Sequence, residues 1–143
     1  MELELNIQID CPEAHPTYAH VGDGGADLRT MQDIEVRPGE VKLVPTGVRV
    51  EIPYGYAGFL MSRSGQGKLK VGLANAVGLI DHQYRGEIFA QITNDGMVEY
   101  RAKKFDRIAQ LVIVPIVNAT LRVVDRVSES DRGEAGFGSS GVR

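Results

Sequence analysis

The chain has 143 residues, enough for one domain built around a single substantial core. Its formal net charge of −3, from 16 basic and 19 acidic side chains, excludes the broad basic surface that a general nucleic-acid binder needs. A lone cysteine, Cys11, excludes an internal disulfide and fits a reducing, cytoplasmic setting, and no apolar run approaches the ~20 residues that span a bilayer.

Met1 to Ile9 alternates apolar and polar residues and carries two acids, the pattern of a half-buried strand rather than of a signal peptide. Gly24-Gly25-Ala26-Asp27-Leu28 sets a carboxylate behind two glycines. Val48 to Ile52 alternates cleanly and stops at Pro53, which predicts a second strand. Ser62-Arg63-Ser64-Gly65 then places a guanidinium beside a hydroxyl.

Asn75 to Glu87 is the most informative stretch. A glycine, Gly78, punctuates an apolar run, and Asp81 follows directly after Leu79 and Ile80. This reads as a β-hairpin with an acid at its turn, and the apolar flank favours a carboxylate more basic than a solvated one. Tyr84 supplies a rigid ring with a polar tip, suited to packing against a sugar. His82 is expected to face solvent at the turn.

Ile88, Ala90 and Ile92 put one apolar face on another strand, ended by the turn signal Asn94-Asp95-Gly96. Leu111 to Val117 is a nearly continuous β-branched run, expected to be buried on both faces, with Pro115 marking a bulge or an edge. With 17 glycines, six prolines and no capped 3.6-residue period, the class is all-β: a single-domain sandwich or distorted barrel.

Residues 126–131 read as a polar linker. Arg132 to Gly141 has no apolar periodicity and cannot bury enough surface to order itself. Its backbone N–H groups, the Ser139 and Ser140 hydroxyls and Arg132 suit a polyphosphate, while Phe137 suits the face of a base. The tail is expected to act as a lid that orders over a nucleotide.

Other motifs fall away. Gly136 to Gly141 matches a dinucleotide glycine fingerprint but leaves no room for the helix which that motif requires. Gly67-Lys68 lacks the following Ser or Thr of a P-loop, having Leu69 instead. His15, His20 and His82 have no zinc spacing.

Taken together the segments resemble the trimeric dUTP pyrophosphatase (dUTPase) family. Gly24 to Leu28 looks like its first motif, usually Ala-Gly-x-Asp-Leu, and Ser62 to Gly65 like the second. Asn75 to Glu87 resembles the third, Arg107-Ile108-Ala109-Gln110-Leu111 the fourth, and Arg132 to Gly141 the fifth. Gln66 departs from the pattern, because the family usually has an aliphatic residue after Arg-Ser-Gly.

The resemblance implies a jelly-roll-like distorted β-barrel over residues 1–127, with at most one short helix, and a linker and flexible glycine-rich lid over 128–143. It implies hydrolysis of dUTP to dUMP and diphosphate, which clears dUTP and supplies dUMP for dTMP synthesis. Asp81 would be the base that activates water, and Arg132 would act like an arginine finger. Arg63, Ser64, Gly65 and Gln110 would meet the phosphates. Asn75 and the backbone at Gly78 would read uracil, Tyr84 would pack on the deoxyribose, and Phe137, Gly138, Ser139 and Ser140 would close the lid.

Mg²⁺ is implied on the substrate phosphates, with Asp27 either holding metal-bound water or orienting Arg63. Arg107 is left between a phosphate contact and a structural ion pair. The implied assembly is a homotrimer whose lid closes over a neighbour's site, so that Asp81 and Arg132 of one site come from different chains. No nucleic-acid or membrane partner is expected. Two rivals remain at this point. One is a deoxycytidine triphosphate deaminase, although such enzymes carry Pro-Gly-Trp where this chain has His82-Gln83-Tyr84. The other is a non-catalytic dUTP-binding regulator docked on a protein partner.

Overall fold

The structure is a computed structural model that describes residues 3–141, so Met1, Glu2, Val142 and Arg143 lie outside it. Alternating apolar residues form eleven short strands. They are β1 (Asn6–Ile9), β2 (Ala26–Arg29), β3 (Ile34–Val36), β4 (Val41–Pro45), β5 (Val48–Glu51), β6 (Tyr56–Met61), β7 (Val71–Leu73), β8 (Val77–Ile80), β9 (Phe89–Asn94), β10 (Tyr100–Ala102) and β11 (Arg107–Pro115). Two 3₁₀ helices, Pro12–Ala14 and Ser64–Leu69, interrupt them, one more short helix than the resemblance implies.

The ladders are antiparallel, and strands pair mostly with partners distant in sequence. Sheet orders are β1-β5, β10-β3, β4-β9-β7 and β2-β11-β6-β8, which together wrap an all-β distorted barrel. The inward alternation of each strand supplies one core. Leu28, Ile52, Ile92 and Ile108 are fully buried there, each side chain contributing ~1.5–3 kcal/mol by leaving water. Ile88, Ala90 and Ile92 are buried on one face, as their spacing predicts.

The signal at Asn94 has a structural meaning. This buried amide donates from Nδ2 to the carbonyls of Val36 and Val98, both at 2.8 Å, and accepts from the Gly96 N–H at 3.0 Å. One side chain thus ends β9 and shapes the turn with no polar atom unmatched.

Three expectations change. The first strand begins only at Asn6, leaving Leu3 to Leu5 of its pattern outside it while Met1 and Glu2 lie outside the described residues, and it is mostly exposed, because among the described residues β1 pairs only with β5. The run after Leu111 is not buried on both faces: Val112, Ile113 and Val114 are half-buried and Val117 is exposed. The reason is that β2 accompanies β11 only from Arg107 to Leu111, whereas β6 continues to Pro115. Pro115 therefore lies on an edge, where its missing N–H costs nothing. Finally, the hairpin expected around Asp81 does not form: β8, before Asp81, pairs with β6, while β9, after it, pairs with β4 and β7, so the turn at Asp81 carries the chain from one sheet to another.

Candidate functional site

Where β8 ends, a cavity of about 240 Å³ opens, lined by Asn75, Gly78, Leu79, Asp81, Tyr84 and Phe89 among others. Local geometry explains why these side chains meet. The β7–β8 turn holds Ala76 at φ 60°, a left-handed backbone uncommon for a residue with a Cβ, and this presents Asn75 to the cavity. At Gly78 a Cβ would lie 3.2 Å from the Leu60 Cβ, so glycine lets β8 lie close against β6. Tyr84 is fixed at both ends: its hydroxyl donates to the Glu87 carbonyl at 2.7 Å, and its ring covers Gly86 so closely that any side chain there would collide.

Asp81 is at the rim. Its backbone carbonyl accepts from the Tyr84 N–H at 3.0 Å and closes the turn. Its carboxylate has no hydrogen-bond or ion-pair partner among the described residues, so it remains available for chemistry. The apolar flank expected around it is only half supplied, for Ile80 is buried while Leu79 is 63% exposed. His82 does not face solvent as expected. It is half-buried, with its ring edge-on to Tyr54 at 5.5 Å between centroids.

A second cavity, of about 270 Å³, is lined by Asp23, Gly25, Asp27, Arg63, Ser64 and Gln110 among others. Its centre is an ion-pair cluster. Asp27, 7% exposed on β2, accepts from Arg63 Nε at 2.8 Å and from an Arg107 terminal nitrogen at 3.2 Å. Two guanidinium groups thus share one carboxylate beside the cavity, and the Asp23 carboxylate lines it as well. Each oxygen of the Asp27 carboxylate already meets a cation, and its bond to Nε holds the Arg63 guanidinium, as the second of the two roles the sequence leaves to Asp27 requires. Arg107 likewise spends a donor on Asp27, as a structural ion pair does. Gln110 donates from Nε2 to the Ser62 carbonyl at 2.9 Å, across the strand pairing of β11 and β6.

Strand register separates the two cavities. Asp27, Gln110, Met61 and Val77 lie in one row across the sheet. Asp81 is four residues beyond Val77 along β8, about 13 Å at the usual rise, with ~10–14 Å of strand spacing to cross as well. Within one chain the backbones at Asp81 and at the basic cluster are therefore roughly 15–20 Å apart.

Several expected residues stand apart from both cavities. Gly65 is exposed in the second 3₁₀ helix and lines neither cavity. Arg132, Phe137, Gly138, Ser139 and Ser140 are all exposed, and the tail's hydrogen bonds run within it, such as Arg132 Nε to the Ala135 carbonyl at 2.7 Å. Among the described residues the last backbone bond to the sheets is from the Ile116 N–H to the Gly55 carbonyl, at 2.9 Å.

Other contributors had weak sequence signals. Gly25 has no room for a Cβ, which would come within 2.6 Å of Gln110 Oε1. Gly86 gives Tyr84 its place. The pairing of Arg107 with Asp27 across 80 positions left only the bare presence of both charges to find it by.

Known proteins resemble this chain along nearly its whole length. The family model described as dUTPase matches residues 12–141. The chain is 47% identical to the deoxyuridine 5'-triphosphate nucleotidohydrolase of Burkholderia cenocepacia, with 99% of each chain covered. It is 45% identical to that of Laribacter hongkongensis, over 90% of this chain and 89% of the other. Among solved structures, the Staphylococcus bacteriophage 80alpha dUTPase with dUPNHPP superposes with a TM-score of 0.89 at 34% identity, covering 97% of this chain and 99% of that one. A mutant dUTPase from phage phi11 of S. aureus, whose structure reveals coordination of a structural Mg(II) ion, gives 0.79 at 27% identity, covering 87% and 98%. With a free carboxylate at one cavity, a basic cluster at the other and these matches along nearly its whole length, the chain belongs to the dUTPase family and is a deoxyuridine triphosphate nucleotidohydrolase.

Proposed function

We propose that the chain cleaves dUTP between its α and β phosphorus atoms at sites shared between the subunits of a homotrimer. The observation that carries this is the separation of the two cavities. A substrate whose α-phosphate must meet both a base and a cluster of cations cannot span roughly 15–20 Å in one chain. A site formed by the Asp81 cavity of one subunit and the Asp27–Arg63–Gln110 cavity of the next removes the conflict, and closed cyclic symmetry repeats it three times. The exposed apolar surface favours the same assembly. Leu43, Leu79 and Phe89 surround the first cavity unprotected, and Val117, Leu121 and Val123 are 94%, 92% and 98% exposed along the stretch after β11. A monomer rarely leaves so much apolar surface in water.

In this reading Asn75 and the backbone at Gly78 pair with uracil, and Tyr84 packs on the deoxyribose, leaving no room for a 2′-hydroxyl. Asp81 takes a proton from a water molecule as that water bonds to the α-phosphorus. The bond from this phosphorus to the α,β-bridging oxygen breaks, and diphosphate departs with the electron pair. Arg63, held through Nε, keeps its remaining N–H groups for the phosphates, with Ser64, Gly65 and Gln110 beside it. Arg132, Phe137, Gly138, Ser139 and Ser140 arrive with the tail of a neighbouring chain and exclude water. The tail, residues 128–143, serves as a lid over the barrel formed by the residues before it. When bound, Mg²⁺ would be carried by the triphosphate and would supply charge neutralisation; among the described residues no cluster of possible ligands forms a cage for it. The product dUMP would feed dTMP synthesis in the cytoplasm.

Diphosphate release assayed across the deoxynucleoside triphosphates and UTP tests the substrate, and sedimentation of the active species tests the assembly. Turnover confined to dUTP by a trimer is expected. A fully active monomer, or ammonia released from dCTP, would refute the reading.

A further inference from the structure

We infer that Gln66 is a positioning residue that holds the basic cluster in shape for the triphosphate, a role that rests on the reading of Arg63 as a phosphate contact. Gln66 is 5% exposed, and burying a polar amide is costly unless both ends are matched. Both are. Oε1 accepts from the Arg63 backbone N–H at 2.9 Å, and Nε2 donates to the Ile108 carbonyl at 2.8 Å.

The second partner explains why an amide is useful here. The register between β11 and β2 shifts between Arg107 and Ala109, which leaves Ile108 without an opposite residue on β2. Such a bulge disrupts the ladder locally and leaves its extra residue to find a partner elsewhere. Gln66 supplies the partner for this carbonyl, and with the same group fixes the start of the Ser64–Leu69 helix.

The result is a closed circuit. The Gln66 amide joins the backbone of Arg63 to that of Ile108. Next to Ile108 is Arg107, whose guanidinium meets Asp27 at 3.2 Å, and Arg63 meets the same carboxylate at 2.8 Å. Two arginines from distant segments are thus fixed to each other both through their backbones and through a shared acid. The aliphatic residue usual at this position could fill the space but could join neither backbone group. In this chain the aim of Arg63 depends on an amide.

The test replaces Gln66 with Leu, and with Met as a second variant that keeps the length without the amide. Binding of a non-hydrolysable dUTP analogue to each trimer is expected to weaken about tenfold, as two buried backbone groups lose their partner and Arg63 loses its aim. Affinity for deoxyuridine, followed by NMR titration, should not change, because that ligand has no phosphate. In an Arg63→Ala background, Gln66→Leu should cause no further loss, since the residue acts through Arg63. Unchanged analogue binding, parallel loss of deoxyuridine binding, or additive losses in the double variant would each overturn the assignment. A wild-type protein that ignores the analogue would instead overturn the reading of the site on which it rests.

Discussion

Two aspartates in this chain have opposite surroundings. Asp27 is buried in β2 and engaged by two arginines, while Asp81 stands exposed at the end of β8 with an unpartnered carboxylate. A carboxylate engaged by two guanidinium groups is a good anchor, because removing it leaves two cations facing each other. An unpartnered carboxylate contributes little to folding and is free to accept a proton. In the proposed reading structural and chemical work are divided between two acids, and this division can be tested.

The largest expected effect is on rate. Asp81→Asn should lower kcat by ~10²–10⁴, the usual loss of a general base. Unfolding by urea and binding of a non-hydrolysable dUTP analogue should match wild type, because the amide fills the same space and no bond is lost. A variant that keeps more than about a tenth of the rate would make Asp81 a bystander.

The separation of the two regions makes the second prediction. Asp81→Asn and Arg63→Ala subunits, each inactive as homotrimers, should rescue one another when unfolded together and refolded as mixtures. A mixed ring holds one junction at which an intact Asp81 faces an intact Arg63. Random mixing makes three-quarters of the trimers mixed, so activity should recover to roughly a quarter of wild type. Absence of recovery, with subunit exchange confirmed by mass spectrometry, would mean that both groups serve one chain's own site.

Asp27→Asn should act on stability instead. Breaking a fully buried pair costs ~3–5 kcal/mol, but both arginines here keep part of their hydration, so a loss of about 2 kcal/mol is expected in urea unfolding. Turnover should fall as well, since Arg63 loses its fixed aim. If Asp27→Asn left stability intact while Asp81→Asn destabilised the fold, the division of roles would be reversed.

Much of this was legible in the sequence, for identifiable reasons. Period-two alternation and glycine and proline punctuation disclosed the all-β class, and Asn75, Gly78, Asp81 and Tyr84 lie within ten positions, so one turn brings them together. What was hidden depends on strand pairing. The sequence suggested a hairpin around Asp81, but β8 finds β6 and β9 finds β4 and β7, partners that local pattern cannot name. The Asp27–Arg107 pair and the Gln66–Ile108 bond close over separations of 80 and 42 positions, so neither leaves a periodic trace. The tail was read from composition alone, and its described residues make no such long-range bonds that a single chain could reveal.

The smallest effect concerns the two glycines before Asp27, which look equivalent in sequence and are not. A Cβ on Gly24 would meet nothing within 4 Å, and the related family usually has alanine there. Gly24→Ala should therefore change stability and KM by no more than ~0.5 kcal/mol. At Gly25 the added Cβ would lie 2.6 Å from Gln110 Oε1 and 3.2 Å from the Gln110 Cβ, the latter too near the backbone to swing away. Gly25→Ala should push Gln110 off the Ser62 carbonyl, lose about 1 kcal/mol, and raise KM for dUTP several-fold while kcat changes little. Chemical denaturation and steady-state kinetics on the pair would resolve it. Equal behaviour of the two variants would show that Gln110 is free to move and that its contact with Ser62 does not set the geometry of the basic cavity.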